Sequence, residues 1–345
     1  MKKINVLVTA AGSACSINII KSLKMVKKYK IFSADIYYNS VGAFRSYKGF
    51  IINKENNNKK YVNDLLKICV AEKIKILIPG FDTELEVLKN NENKFKKIGT
   101  LIIVGSKRLI EIANNKFELS NWLKENKFDY LKTYRLEDRK KIKSHLKFPF
   151  IIKPNSGTGQ AGFDVIHNQR QYLALLEKLK FTNKNFIAQQ YLNENLDEFT
   201  ATVSVGKNFE ILGCNCSKRI ISKGTSRVIT YDNYDSVKKE LIKIAKKIKS
   251  FGPINFQFKI KKKKIYIFEI NARFSTTNYV RALVGYNEVD LIITHLLTGK
   301  SIPLKNPQKI TALSYWEYSI IKTSEILSFK KKGVTKKNSI LFNYL

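Results

Sequence analysis

Histidine, cysteine and arginine are scarce in this 345-residue chain, and their scarcity argues against several kinds of site. With three histidines (His145, His167 and His295), a histidine-based catalytic triad or metal cluster has little to be built from. The four cysteines are scattered, without the paired spacing of a zinc site or a disulfide framework, which fits a reducing cytoplasm. Cys214 and Cys216 would share one face of a strand, and we expect both to be buried thiols.

Long apolar runs are also missing. No run approaches the roughly 18 consecutive apolar residues of a membrane-spanning helix, so no membrane span is expected. The segment that ends at Cys15 could pass for a lipoprotein signal, because two lysines precede a short apolar stretch. Asn5 and Thr9 interrupt that stretch, and an amphipathic helix pattern follows it directly, so a strand followed by a helix explains the segment better. We therefore expect a cytoplasmic protein.

The net charge of +35 suggests a nucleic-acid partner, but the kind of basic residue argues against one. Only 9 of the 63 basic residues are arginine, the residue preferred for bidentate contacts to phosphates and bases. The lysines are spread over the whole chain, and tracts such as 261–264 and 330–332 are typical of solvated turns. We expect no specific nucleic-acid binding, only weak attraction to polyanions.

Alternating strand and helix patterns fill the first hundred residues. Apolar segments KINVLVTA, KIFSADIYY, IKILIPG and LIIVG alternate with amphipathic helix patterns, which predicts a doubly wound parallel sheet. Asp35 and Asp82 lie near strand carboxyl ends, where such sheets present ligands. Beyond Gly105 runs of strands are interrupted by single helices, which predicts α+β subdomains.

The segment NSGTGQAG, between FPFIIKP and FDVIH, is the first candidate site. Gly157, Gly159 and Gly162 match G-x-G-x-x-G, but a dinucleotide site needs that motif between a strand and a helix, and here it joins two strands. Phe163 replaces the lysine of a P-loop. A strand–loop–strand unit with Lys153 on the incoming strand is instead typical of a flap whose backbone N–H groups close over phosphates. A polar hairpin turn is the alternative.

The segment INFQFKIKKKKIYIFEINAR is the second candidate. Glu269 and Asn271 lie two apart on one strand and share a face, and the lysine turn brings Gln257 opposite or diagonal to them. Three oxygen-bearing side chains on a face otherwise built of Ile and Phe suit Mg²⁺. Arg273 shares that face and could hold a transferring phosphoryl group or an acyl phosphate. A solvated sheet face is the alternative.

The motifs, taken in order, resemble those of ATP-grasp enzymes. Lys116 after an Asn pair, FPFIIKP, the glycine loop, IAQQYL, Glu198 in EFT and the Gln–Glu–Asn hairpin follow one another with similar spacing. The trio is most similar to that of the carbamoyl-phosphate-synthetase branch, and INARFSTTNYVRALVGYN resembles stand-alone members. The N-terminal part resembles the pre-ATP-grasp domain. The resemblance implies a pre-ATP-grasp domain (1–111), a small subdomain with the glycine loop (112–188), a large subdomain with the metal site (189–304) and a C-terminal extension (305–345), whose basic end beyond Phe329 we expect to fray.

The resemblance also implies three sets of site residues. The residues implied to bind ATP are Lys116, Lys153, Ser156, Gly157, Thr158, Gly159, Gln190, Tyr191, Leu192, Glu198 and Lys218. The residues implied to bind Mg²⁺, with Mn²⁺ as an alternative, are Gln257, Glu269 and Asn271. The residues implied to act in catalysis are Arg273, Lys153 and Asn271.

Within these sets, the two lysines would contact the α- and β-phosphates, residues 190–192 would form the hinge that reads adenine, and Glu198 would accept hydrogen bonds from ribose hydroxyls. Glu269 would be shared by two metal ions, one also bound by the Gln257 amide and one by the Asn271 amide. Lys218 and its neighbour Arg219 would add positive charge near the transferring group.

Three departures from the family pattern concern the adenine and acceptor contacts. Gln189 and Gln190 stand in the hinge where an acid is common. Ala272 replaces a frequent proline, and the residues at 275–277 (Ser-Thr-Thr) replace a glycine-rich pair.

The implied function is an ATP-dependent carboxylate–amine ligase that forms an acyl phosphate and releases ADP and phosphate. Its partners would be a small-molecule carboxylate and a small-molecule amine, with a homodimer left open. Two alternatives are a non-catalytic nucleotide-binding module of the same fold, and carbamoyl- or carboxyphosphate chemistry that uses bicarbonate.

Overall fold

A computed structural model describes residues 3–157, 163–182, 185–193, 195–222, 224–305, 307–315, 317–335 and 340–342. Its strands form sheets of five, four and six strands and a two-stranded ribbon. Among the described residues, no helix has the length and apolarity to cross a bilayer.

The first sheet is parallel throughout, in the order β3-β2-β1-β4-β5. Its strands are β1 (Ile4–Val8), β2 (Tyr29–Asp35), β3 (Lys48–Ile51), β4 (Ile76–Ile78) and β5 (Leu101–Ile102). Its helices are α1 (Ala14–Lys24), α2 (Val41–Phe44), α3 (Asn58–Ala71) and α4 (Glu84–Lys97). This confirms the predicted doubly wound sheet.

One edge strand, β3, was not predicted. It has four residues, one of them glycine, so it carries little strand signal. A Cβ on Gly49 would lie 2.6 Å from the Cβ of Ala43, so the glycine lets the α2 helix pack directly against the strand.

Two helices lead out of this sheet, α5 (Lys107–Asn114) and α6 (Lys116–Glu125). Asn115 separates them, and its side chain accepts a hydrogen bond from the Glu118 backbone N–H at 3.0 Å, which caps α6. This cap fixes the position of Lys116 in the first turn of the helix.

The four-stranded sheet is antiparallel, in the order β6-β9-β7-β8. Its strands are β6 (Thr133–Arg135), β7 (Phe150–Pro154), β8 (Asp164–Ile166) and β9 (Phe186–Gln190). Its helices are α7 (Arg139–His145) and α8 (Gln169–Leu179). Phe150, Ile152 and Ala188 of the sheet pack against Ile142 and Tyr172 of these helices.

The six-stranded sheet is antiparallel, in the order β14-β13-β10-β11-β12-β15. Its strands are β10 (Glu198–Val205), β11 (Ile211–Ser222), β12 (Thr225–Tyr231), β13 (Gly252–Lys261), β14 (Lys264–Asn271) and β15 (Ile310–Leu313). Its helices are α9 (Asp235–Ile248), α10 (Asn278–Leu283) and α11 (Glu288–Thr298).

The two faces of this sheet differ in polarity because side chains alternate along each strand. Ala201, Val203 and Phe258 share a buried core with Leu241 and Ile244 of α9. Cys214 and Cys216 lie in the same core as free, buried thiols, as predicted. The opposite face carries the polar residues of the candidate site.

The C-terminal segment packs against the first domain, which is the five-stranded parallel sheet with its helices, and this packing continues beyond Phe329. It contains β16 (Ile320–Ile321), α12 (Thr323–Lys332) and β17 (Ile340–Phe342). Phe329 is buried against Phe44 with ring centroids 5.5 Å apart. Thr335 donates its backbone N–H to the Gly49 carbonyl at 2.9 Å, and the Gly49 N–H donates to its hydroxyl at 2.8 Å. The expectation of fraying is therefore wrong as far as Thr335, because the free edge of β3 supplies backbone partners.

The division of the chain at 111, 188 and 304 stays a proposal, and strand pairing bears on two of its boundaries. The boundary at 188 falls inside β9, whose five residues all belong to the four-stranded sheet. The strand β15, beyond 304, pairs with β12 and extends the six-stranded sheet.

Candidate active site

A cavity of about 980 Å³ lies where the three sheets meet. Its lining contains twelve of the fifteen residues that the resemblance implied for ATP binding, metal binding and catalysis. They are Lys116, Lys153, Ser156, Gly157, Gln190, Tyr191, Leu192, Glu198, Gln257, Glu269, Asn271 and Arg273. Two others, Thr158 and Gly159, lie outside the described residues.

The hairpin of β13 and β14, which we call the metal ribbon, has the predicted geometry. Its turn residues Lys262 and Lys263 have φ of 49° and 65°, the two positive values of a tight two-residue hairpin turn. The turn pairs Lys261 with Lys264, and a β-bulge between Gln257 and Phe258 then shifts the register by one residue. Beyond this bulge, Gln257 lies opposite Glu269, and Asn255 lies opposite Asn271. The fold therefore brings together the three oxygen-bearing side chains that the pattern placed on one face.

Both amides of the metal ribbon donate to the same carboxylate oxygen. The distance to Glu269 Oε1 is 3.0 Å from Gln257 Nε2 and 3.2 Å from Asn271 Nδ2. Carboxylate and amide oxygens are hard donors that suit Mg²⁺ or Mn²⁺. Among the described residues, no group of three or more His, Cys, Asp or Glu could hold a metal ion.

An arginine lies at each end of this trio. Arg219 Nη2 donates to Glu198 Oε1 and to Gln257 Oε1, both at 2.6 Å. Arg273 donates to Asp82 Oδ2 from Nε at 3.0 Å and from Nη2 at 2.7 Å, and reaches Asn271 Oδ1 at 3.4 Å. Each guanidinium thus joins the metal ribbon to a carboxylate on a neighbouring element.

Two lysines face the metal ribbon across the cavity. Lys116 Nζ donates to the Gly157 carbonyl at 2.8 Å, at the start of the glycine loop. Lys153 on β7 is buried, and its ammonium makes no hydrogen bond to any other described residue. Burial, together with the nearby charge of Lys116, lowers the pKa of Lys153 to about 7. Burial also lowers the pKa of Lys116.

The hinge after β9 carries an unused acceptor. Gln189 Nε2 donates to Thr133 Oγ1 at 2.9 Å, and that hydroxyl itself donates to the Leu131 carbonyl at 2.8 Å. The amide oxygen of Gln189 is therefore left as a buried acceptor, and it has no partner among the described residues. Because Gln189 lines the cavity, a small rotation of its side chain would present this buried oxygen to a ligand donor.

The first domain closes one end of the cavity with the loop that enters α1 and the first residues of that helix, at 13–15, and with the loop at 80–81. The second loop is held by Glu84, which accepts from the backbone N–H of Gly80 at 3.2 Å and of Phe81 at 3.3 Å. Thr9 Oγ1 and the Tyr61 hydroxyl also donate to this carboxylate, at 2.7 and 3.0 Å. Burial raises the pKa of Glu84 to about 7. Asp35 accepts from the Gly12 N–H at 2.6 Å and supports the first loop.

Lys218 does not line the cavity, whereas its neighbour Arg219 does. Glu198 lies opposite Arg219 in the register of β10 and β11, and Phe199 lies opposite Lys218. Because consecutive residues of a strand point to opposite faces, only Arg219 shares the face of the metal ribbon. Lys218 instead lies 3.5 Å from Asp197 on the exposed side.

Two family models match successive parts of the chain. Residues 6–103 match the family model of the PylC-like N-terminal domain, and residues 113–277 match that of the ATP-grasp domain. This chain is an ATP-grasp protein. The predicted superfamily and its two-part α/β and α+β fold are thereby confirmed.

Known proteins similar to this ATP-grasp chain differ from it in length. The carbamoyl phosphate synthase large chain of Pseudothermotoga lettingae is 21% identical over 272 residues, which cover 74% of this chain and 24% of that protein. The chain spans between 16% and 27% of the length of the carbamoyl phosphate synthase chains compared with it.

Two solved structures share its fold. N5-carboxyaminoimidazole synthetase from Staphylococcus aureus superposes with a TM-score of 0.69 at 19% identity, covering 88% of this chain and 79% of that one. The biotin carboxylase domain of the Hydrogenobacter thermophilus 2-oxoglutarate carboxylase, a dimer in complex with MgADP, ADP and bicarbonate, superposes with a TM-score of 0.65 at 15% identity, covering 88% and 71%. At these identities the likeness establishes the fold and no more.

Sequence reasoning missed two features of this ATP-grasp site. Glu84 follows Thr83 in a helix that looks solvated, and nothing in the pattern marks it as buried. The link between Glu198 and Arg219 depends on strand register, which short-range spacing does not fix.

Proposed function

We propose that this ATP-grasp protein is an ATP-dependent carboxylate–amine ligase that forms an acyl phosphate and releases ADP and phosphate. One observation carries the proposal. A single cavity is lined by two lysines suited to phosphates, by a hinge with an unused acceptor, and by a ribbon of hard oxygen donors that ends in an arginine.

The nucleotide end of the cavity suits ATP. Lys116 and Lys153 would bind phosphates. Burial and the nearby charge of Lys116 lower the pKa of Lys153, and phosphate oxygens would favour its charged form. The orphaned oxygen of Gln189 suits the adenine amino group, a hydrogen-bond donor. Glu198 lies between these groups and the metal ribbon and would accept from ribose hydroxyls.

The donor chemistry of the metal ribbon fits Mg²⁺, with Mn²⁺ as an alternative. Gln257, Glu269 and Asn271 would hold the ions, which would neutralise phosphate charge during transfer. Arg273 would stabilise the acyl phosphate, and Asp82 orients its guanidinium from the first domain. The segments at 13–15 and 80–81 face this end, so the first domain would supply part of the carboxylate pocket.

ADP release from the purified protein, measured with panels of carboxylates and amines, tests the proposal. Turnover should require both a carboxylate and an amine, and Glu269→Ala or Lys153→Ala should abolish it. Lys180→Ala, which alters an exposed lysine at the end of α8, is the matched control. If turnover is detected and either cavity variant leaves it unchanged, the assignment is wrong.

Carboxyphosphate chemistry is the second candidate, because the structurally similar Hydrogenobacter domain was solved with MgADP and bicarbonate. Bicarbonate therefore belongs in the carboxylate panel, and bicarbonate-dependent ADP release would favour this candidate. Calorimetric ATP binding without turnover on any substrate pair would instead favour a non-catalytic nucleotide-binding module. A cytoplasmic location and a homodimer are further parts of the proposal, and the latter is checked by light scattering.

A further inference from the structure

An unbroken chain of hydrogen bonds crosses the candidate site from the large sheet to the first domain. Its members, in order, are Glu198, Arg219, Gln257, Glu269, Asn271, Arg273 and Asp82. The residue proposed to bind ribose is thereby joined to every residue proposed to bind metal. These side chains therefore satisfy one another's polar groups across the site.

The chemistry of the partners fixes the orientation of both amides. A guanidinium has only donors, so Gln257 and Asn271 must turn their oxygens toward Arg219 and Arg273. An ionised carboxylate has only acceptors, so the same amides must turn their nitrogens toward Glu269. A metal ion shared by Glu269 and either amide requires the amide oxygen, not its nitrogen, on the side of that carboxylate. The observed orientation therefore disfavours metal binding.

Arg219 holds its amide more tightly than Arg273 does. Its Nη2 lies 2.6 Å from Gln257 Oε1, whereas Arg273 Nη2 lies 3.4 Å from Asn271 Oδ1. The same Nη2 atom lies 2.6 Å from Glu198 Oε1. One guanidinium nitrogen therefore bridges Glu198, which we propose to bind ribose, and Gln257, which we propose to bind metal. The side chain of Arg219 is only 9% exposed, so water screens its charge poorly.

We propose that Arg219 is a positioning residue that couples nucleotide binding to metal binding. While it bridges Glu198 and Gln257, it keeps the Gln257 amide turned away from the metal position and places a positive charge beside it. Glu198 anchors the guanidinium through two hydrogen bonds, from Nε at 3.1 Å and from Nη2 at 2.6 Å. When ribose hydroxyls compete for Glu198, the guanidinium loses this anchor and can move away from Gln257, whose oxygen can then turn toward Glu269. This inference rests on the nucleotide and metal sites proposed above.

Mn²⁺ binding in the absence of nucleotide tests the coupling, and the loss of the free Mn²⁺ signal in electron paramagnetic resonance measures it. The wild-type protein should bind Mn²⁺ weakly alone and much more tightly with ADP, after subtraction of the Mn²⁺ that the same ADP binds without protein. Arg219→Met should bind Mn²⁺ alone at least about tenfold more tightly than wild type, because a buried positive charge a few ångströms from the ion is gone. The enhancement by ADP should shrink correspondingly. Arg108→Met, which removes an arginine from the exposed face of α5, is the charge-matched control and should behave as wild type.

Two further variants keep the test decisive. Adding Glu269→Ala to Arg219→Met should remove the gained Mn²⁺ site, which places it at the metal ribbon. Arg219→Gln removes the charge but keeps a hydrogen-bond donor for Glu198. It takes the place of Arg219→Met if circular dichroism shows that the methionine variant is unfolded. Equal Mn²⁺ affinity of wild type and the Arg219 variant without nucleotide overturns the inference, as does a gained site that survives Glu269→Ala. Because no turnover is measured, failure of the ligase assay leaves this result interpretable.

Discussion

Two arginines eight residues apart in the chain, Arg273 and Arg281, each pair with a carboxylate, yet the surroundings of the two pairs differ. Arg273 lies 2.7 Å from Asp82, and the two side chains are 10% and 12% exposed beside the cavity. Arg281 lies 2.8 Å from Glu288, and both side chains are 0% exposed. The distances are nearly equal, so pair geometry alone does not distinguish a ligand-facing cation from a sealed one.

The neighbours of the two arginines show what each pair supports. Arg273 reaches the metal ribbon at Asn271, whereas Arg281 donates to Ser275 Oγ at 2.9 Å, behind the cavity wall. One oxygen of Glu288 and the Nε atom of Arg281 are buried without a described partner. Removing one member of the sealed pair would therefore leave the other member buried without a replacement partner. The side chains of the cavity pair can instead exchange hydrogen bonds with a ligand.

The largest expected effect comes from breaking the sealed pair. Arg281→Met leaves the Glu288 carboxylate buried without its counter-ion, so the free energy of unfolding should fall by about 3–5 kcal/mol. Urea denaturation followed by circular dichroism measures the change. The double variant Arg281→Met/Glu288→Leu should recover most of the loss. Wild-type stability of the single variant would contradict the view that this pair is structural.

Breaking the cavity pair should affect function more than stability. Arg273→Met should leave the free energy of unfolding within about 2 kcal/mol of wild type, because Asp82 is close enough to solvent to be rehydrated. If the ligase proposal holds, turnover should fall by about 10²–10³-fold, since a stabilising donor is lost from the transferring group. Measurement of kcat and of ADP affinity separates these effects. A stability loss as large as that of Arg281→Met, with turnover retained, would reverse the assignment of the two pairs.

Lys153 extends the comparison to a buried cation with no carboxylate partner among the described residues. Its pKa of about 7 means that the ammonium is mostly neutral at pH 8 before nucleotide binds. Phosphate oxygens favour the charged form, so ADP binding at pH 8 should take up protons, and the uptake should vanish below about pH 6, where Lys153 is already charged. Calorimetry in buffers of different ionisation enthalpy measures the uptake. Lys153→Met should abolish it, and Lys180→Met should not; identical proton uptake in all three proteins would exclude Lys153 as its source.

The sequence was sufficient for features that depend on short-range periodicity. Glu269 and Asn271 share a face because they lie two apart, and the lysine turn predicts the hairpin that folds the strand of Gln257 back beside them. The parallel sheet follows similarly from alternating apolar strands and amphipathic helices. These parts needed no knowledge of distant contacts.

Features that depend on how distant strands pair, or on which side chains are buried, could not be predicted from short-range patterns in the sequence. Arg219, rather than Lys218, faces the cavity because of how β11 pairs with β10, and the pattern SKRI is equally compatible with either phase. The Arg273–Asp82 pair joins residues 191 positions apart. The difference between the two arginine pairs is likewise a matter of burial, which only packed elements define.

Gln189 gives the smallest expected effect and tests whether an orphaned polar atom marks a ligand contact. Gln189→Leu removes the unpaired buried oxygen, so the protein without ligand should be as stable as wild type or slightly more stable. ADP affinity should fall by about 3–10-fold, the value of one neutral hydrogen bond. Affinity for GDP should change less, because guanine presents an oxygen where adenine presents an amino group. Calorimetric titration with both nucleotides measures the difference, and equal losses for ADP and GDP would mean that Gln189 does not read the base. A buried acceptor without a described partner, such as that of Gln189 or of Glu288, would then be no guide to a ligand contact, and access to the cavity would be the better guide to function in this fold.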